Sequence, residues 1–171
     1  MQDKKFKITV PQIIFMILTV AVMVTIFILS AENAEESSKT SGSMTKVAVK
    51  IIDKDYSKRS LYRQREIWNT ASFIVRKLAH FTIYTALGFC ASMTAGKRKL
   101  ISLKSLFVIV FGFLYAFSDE LHQTMSEGRS CEFRDMMIDT SGAALGMMLS
   151  LIVMCIVCHF INRHKKESLR T

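Results

Sequence analysis

Four stretches of this 171-residue chain, at about 8–30, 74–95, 100–118 and 140–161, are poor in charge, and each approaches the length of about 20 residues that a helix needs to cross a bilayer. No other feature restricts the fold as much. In hydrocarbon the backbone must satisfy its own hydrogen bonds, which apolar runs of this length do as helices. Charged residues make up 22% of the chain, a high share for lipid-facing surface, so they must lie between the runs, and they do. The expectation is an all-α integral membrane four-helix bundle, one domain over 1–171, with a long outer loop at 31–73. The first run, PQIIFMILTVAVMVTIFILS, has no charge after Lys7 and lacks the small-residue cleavage site of a removable leader, so it reads as a retained anchor.

The placement of lysine and arginine gives the orientation. Lys4, Lys5 and Lys7 precede the first run, Lys97, Arg98 and Lys99 fill the second turn, and Arg163, Lys165, Lys166 and Arg170 follow the last run. In a four-span chain these segments share one side, and the positive-inside rule makes it the cytoplasm, with both termini there. The 31–73 loop carries eight basic residues against six acidic ones and is a weak counter-signal. The net charge of +9 is then topological, set against anionic lipid headgroups, and no nucleic-acid partner is needed to explain it.

Several features read as packing. Cys90, Cys155 and Cys158 fall inside predicted spans, and the C-x-x-C of Cys155 and Cys158 lacks the strand-to-helix context of a redox motif. Gly142 and Gly146 form a G-x-x-x-G that lets another helix of the bundle approach closely. The stretch 45–69 alternates apolar and basic residues and suggests an interfacial amphipathic helix anchored by Trp68. No Walker loop, dinucleotide fingerprint or structural-zinc spacing is present.

The chemistry is concentrated in DELHQTMSEGRSCEFRDMMID, residues 119–139, which holds six acids, two arginines, one histidine and one glutamine between two apolar runs. Counting helical rise from the inner ends of the third and fourth runs places Asp119, Glu120, His122, Gln123 and Asp139 at the outer boundary, with Asp135 one turn above. Asp119 and Gln123 are four apart, as are Asp135 and Asp139, so each pair shares a helix face. The second run supplies Lys77, His80 and Tyr84 at i, i+3 and i+7, and His80 lies about one turn inside. Arg76 reads as an interfacial side chain that snorkels to the headgroups. An ionisable residue inside a span usually has a partner, so three helices offering polar groups to one layer predict one shared site.

The segments SAENAEESSKTSG, RKLAHFTIYTALG and LYAFSDELHQTMSEGRSCEFRDMMIDTSGAALG resemble the VanZ-like family of small bacterial membrane proteins, over about residues 30–146. The family pattern falls on Lys77, His80, Tyr84, Asp119, Glu120, His122, Gln123, Arg129, Asp135 and Asp139, all present here, with serines at Ser30, Ser37 and Ser41. Where the family commonly has a proline-glycine turn before the arginine, this chain has Glu127-Gly128. The family is named for a member linked to teicoplanin resistance, so the resemblance implies a role in the cell envelope. It does not by itself imply that this chain confers antibiotic resistance.

Two functions follow from these residues. In the first, Lys77 and Arg129 clamp an anionic group of a lipid-linked or glycopeptide-type ligand that the protein recognises or protects. In the second, a hydrolase or transferase acts on a lipid phosphate, with His80 or His122 working as acid or base beside Asp119, Glu120 or Asp139. A small proton-coupled transporter fits less well, because four spans without an inverted repeat leave little to rock. The Asp, Glu and His set also offers oxygen and imidazole ligands to a divalent ion. The sequence leaves metal, cofactor, ligand identity and oligomeric state open.

Overall fold

The computed structural model describes residues 8–31, 39–96, 99–124 and 132–168, with side chains described as far as Arg163. Among the described residues five helices carry the fold: α1 Val10–Ala31, α2 Gly42–Ile52, α3 Leu61–Ala95, α4 Leu103–Gln123 and α5 Phe133–Ser168, with a 3-10 turn at Tyr56–Lys58. No strand occurs among the described residues. The boundaries have local causes. Ser60 Oγ accepts from the Arg63 amide and Ser102 Oγ from the Ser105 amide, so both helices begin on hydroxyl N-caps. At the other end of α3 the chain turns through Gly96, whose φ of 73° favours a residue without a Cβ.

Three helical stretches, Val10–Ala31, Leu103–Gln123 and Phe133–Arg163, are long and apolar enough to cross a membrane. The four-span expectation is thus met in three helices, and α3 is the exception. It starts at Leu61 rather than near residue 74. Its first half bears Arg63, Arg65, Glu66, Arg76 and Lys77, and its second half is diluted by His80, Thr82, Tyr84, Thr85 and Ser92. It also occupies the centre, packing against α1, α2, α4 and α5. A helix that is sheltered by its neighbours can carry polar groups that a lipid-facing one cannot.

The contacts define an alternating arrangement. Lys77 pairs with Asp135 and Ser92 with Ser150, each across the same 58 residues, so α3 and α5 run parallel. The Tyr115 hydroxyl donates to the Met23 carbonyl, and His122 stacks on Phe27, so α1 and α4 also run parallel. Gln12 near the start of α1 reaches the Thr94 carbonyl near the end of α3, so the two pairs run in opposite directions. One end of the bundle therefore gathers the C-terminal ends of α1 and α4 with the start of α5 and the middle of α3.

The seam between α3 and α5 is closed by small residues. A Cβ on Gly146 would fall 2.7 Å from the Phe89 amide nitrogen, and one on Gly142 would fall 3.3 Å from Tyr84 Cβ. Both glycines thus face α3 within the same chain, which is the internal packing expected of the G-x-x-x-G. Ile26, Tyr84, Leu87 and Ala116 form a core among α1, α3 and α4. Ile17, Val20 and Ile28 of α1, Phe107 and Leu114 of α4, and Ile152 and Ile156 of α5 are exposed. An apolar belt of that extent suits lipid rather than water.

The amphipathic stretch is not one helix. The chain breaks between α2 and α3, where Asp53 accepts from Arg59 Nε at 2.8 Å and from the Asp55 amide at 2.9 Å. Trp68 packs on the Val49, Ile67 and Ala71 cluster between those two helices, which gives it a protein partner as well as any interfacial one. Among the described cysteines, Cys155 and Cys158 are free thiols, exposed and half-buried on α5, while Cys90 is free and buried. The Lys4–Lys7 and 97–98 signals of the orientation argument lie outside the described residues, as do Arg170 and Cys131.

Candidate functional site

Three helices deliver one ionisable side chain each to a common point. His80 of α3, Asp119 of α4 and Asp139 of α5 place ligand-type atoms within 4.8 Å of one another. His80 Nδ1 lies 3.6 Å from Asp139 Oδ2, within ion-pair reach but beyond a good hydrogen bond. The two carboxylates are deeply buried, with Asp119 4% and Asp139 2% exposed, whereas the His80 side chain retains 26%. The imidazole is therefore the cluster's opening to its surroundings.

The supporting residues follow helical spacing. Gln123, one turn beyond Asp119, donates from Nε2 to Asp119 Oδ2 at 3.0 Å and reaches Ser30 Oγ of α1 at 3.5 Å. Tyr84, one turn beyond His80, is fully buried, and its hydroxyl faces Asp119 and Asp139 without a hydrogen bond of normal length, Asp119 being the acceptor within weaker reach. Asp139 Oδ2 also has no hydrogen-bond partner. Buried polar atoms are nearly always well satisfied, so two that meet their neighbours only at long range, Tyr84 Oη and Asp139 Oδ2, are notable.

The remaining predicted residues surround this centre without joining it. Lys77 and Asp135 form a close ion pair one helical turn above His80 and Asp139, so the lysine's charge is already compensated. Glu120, 1% exposed, accepts from the Glu132 amide at 3.0 Å and so stabilises the entry to α5. His122 stacks on Phe27 with ring centroids 4.3 Å apart, facing α1 rather than the three-residue cluster. Arg129 lies outside the described residues, as does Ser37.

A cavity of about 240 Å³ opens beside His80, between α1, α2 and α3. Its walls include Ile26, Leu29, Met44 and Ile83, and its polar edge is formed by Ser30, Ser41, Arg76 and His80. Arg76 makes no ion pair among the described residues. The snorkelling reading overlooked it. The signal was its i, i+4 relation to His80, which puts both on one face of α3.

The arrangement supports two kinds of chemistry. A histidine beside buried carboxylates can move a proton at Nε2 or Nδ1, and carboxylate and imidazole donors can hold a divalent ion. Residues 15–154 match the family model described as VanZ/LLP1. No curated protein and no solved structure matches the chain.

Proposed function

The chain belongs to the VanZ/LLP1 family, and from that premise we propose that this cell-envelope membrane protein recognises or protects a lipid-linked or glycopeptide-type ligand at the outer face of the membrane. The observation that carries the reading is the cavity beside His80, apolar along Ile26, Leu29, Met44 and Ile83 and polar at Ser30, Arg76 and His80. That layout matches an amphiphile. A hydrocarbon segment lies along the apolar wall while an anionic headgroup meets the guanidinium, which grips phosphate or carboxylate bidentately. The alternation of α1, α3, α4 and α5 supports four passes with α3 as the shielded one, and the basic residues flanking the spans favour the cytoplasm for both termini. Reporter fusions at the 97–98 turn and at the C-terminus test this, and an external location for either overturns the orientation.

The binding test uses purified protein in nanodiscs and a polyprenyl pyrophosphate, with the dephosphorylated alcohol as comparison. The pyrophosphate is expected to bind at least tenfold more tightly, and Arg76→Ala to remove most of that preference. Equal binding of the two lipids rejects the headgroup reading. Expression in a teicoplanin-susceptible host then shows whether recognition protects the cell.

A second reading has its own support in the 3.6 Å approach of His80 to Asp139, an acid-base pair suited to a hydrolase or transferase acting on a lipid phosphate. Phosphate release from the same lipid separates the two. Turnover that is lost in Asp119→Ala, Asp139→Ala and His80→Ala supports the enzyme, and binding without turnover supports recognition.

A further inference from the structure

We propose that His80, Asp119 and Asp139 form a binding site for one divalent transition-metal ion. The geometry is near that of a coordination shell. Donors around a shared ion at about 2.0–2.2 Å are separated by roughly 3–4.4 Å, depending on the angle between them. The three side chains offer atoms within 4.8 Å of one another, and the closest named pair, His80 Nδ1 and Asp139 Oδ2, stands at 3.6 Å. Rotation of side chains by a few tenths of an ångström closes the set.

Charge points the same way. Two carboxylates this deeply buried and this close repel each other and lose most of their hydration. The lysine one turn above does not answer them, because Lys77 is paired with Asp135. Arg76 lines the cavity rather than the cluster. A protonated His80 would leave one negative charge uncompensated, whereas a divalent ion with neutral imidazole cancels both.

Independent of the acidic cluster itself, Tyr84 is fully buried with its hydroxyl facing both carboxylates and making no hydrogen bond of normal length to either. A hydroxyl in that position hydrogen-bonds a metal-bound carboxylate or an ion-bound water. Gln123 plays the outer part on the other side, holding Asp119 Oδ2 at 3.0 Å, as residues behind metal ligands commonly do. One imidazole with two carboxylates favours Zn²⁺ or Mn²⁺ over Ca²⁺ and Mg²⁺, which prefer all-oxygen shells. Three protein ligands would leave coordination positions open, and His80 is the one of the three with exposed surface. The site stands without the ligand proposed above, although an anionic headgroup could complete the shell.

The test uses the tag-free full chain in detergent, stripped with chelator and dialysed against buffered Zn²⁺ or Mn²⁺, with bound metal measured by elemental analysis. About one ion per chain is expected, and thermal unfolding followed through Trp68 should shift upward by about 5 °C or more at a hundredfold excess over Kd. Asp119→Asn and Asp139→Asn keep side-chain shape and should each lower affinity at least tenfold and abolish the thermal shift. If either fails to fold, His80→Gln, at the partly exposed ligand, gives the same readout. Asp53→Asn, in the outer connection, should bind as the unaltered chain does.

Equal metal content in the chain and in Asp119→Asn with Asp139→Asn combined overturns the proposal, because the ion then sits elsewhere. So does an unaltered chain whose unfolding ignores metal, since an ion held by the folded cluster must stabilise it. Loss of lipid binding with metal retained would reject the ligand reading alone.

Discussion

The α3–α5 seam changes character along its length. At one end it is lined by polar groups, with Lys77 paired to Asp135 and His80 3.6 Å from Asp139. Further along, it is held by absence of bulk, with Gly88, Gly142 and Gly146 letting backbone meet backbone and Ser92 bonding Ser150. The same pair of parallel helices uses both. Small residues suit the hydrocarbon level, where association relies on close van der Waals contact. Ionisable residues are tolerated only near the boundary or when they are shielded and paired. The polar end carries the unsatisfied atoms, Tyr84 Oη, Asp135 Oδ1 and Asp139 Oδ2, and the glycine end carries none of the buried orphans found among the described residues. Stability is therefore placed in one half of the seam and unspent binding capacity in the other.

The hardest blow to that division is a side chain in the glycine half. Gly146→Leu would drive carbon into the Thr85 carbonyl and the Phe89 amide, which belong to a helix backbone and cannot swing aside. A loss of about 3 kcal/mol or failure to fold is expected, at the upper end of overpacking costs. Gly42→Leu, where nothing lies within 4 Å, should stay within about 0.5 kcal/mol. Thermal midpoints of the purified variants in detergent measure both. A tolerated leucine at 146 would mean that the seam is looser than its geometry.

Next in size is the ion pair. Its side chains are 26% and 13% exposed, so removing one partner leaves a largely buried charge, at a cost of about 2 kcal/mol for Lys77→Met or Asp135→Asn. The double variant should recover most of it. If each single change costs nothing, the pair is a surface contact and the polar half begins deeper, at His80. The buried hydroxyl pair is smaller still. Ser92→Ala should cost only about 0.5 kcal/mol, because the Ser150 hydroxyl keeps its bond to the Met147 carbonyl.

How much of this division could be read from the chain depends on which force wrote it. The apolar spans α1, α4 and α5 were legible because lipid acts on average composition over about 20 residues. The start of α3 at Leu61 was not, since its amphipathic and charged first half extends a helix beyond the apolar segment that marked it. The meeting of His80, Asp119 and Asp139 was legible from depth, because rise per residue converts sequence position into height. The direction of a side chain around its helix was harder to read. His122 turns toward Phe27 and Glu120 toward the amide of Glu132, both at the right height but serving packing and a helix start. Arg76 went the other way, a boundary cation by composition and a cavity residue by geometry.

The smallest expected effect sharpens the contrast from outside the seam. Asp53, in the connection before α3, is half-buried, and its hydrogen bond to Arg59 holds its carboxyl below the usual range, with the Asp55 amide adding to this. Because the folded value is depressed, the group's contribution is fully present above the ordinary carboxylate value and fades as pH falls through the folded one. The connection should be indifferent between pH 7 and about 5 and loosen below about pH 4, seen as faster cleavage near residues 53–60 by an acid-active protease. Asp53→Asn should remove that dependence without altering the midpoint of the bundle, since the pair closes a short surface connection and leaves Arg59 half exposed to solvent. If instead the whole bundle loosens over the same range in both proteins, the acid-sensitive element lies in the polar half of the seam.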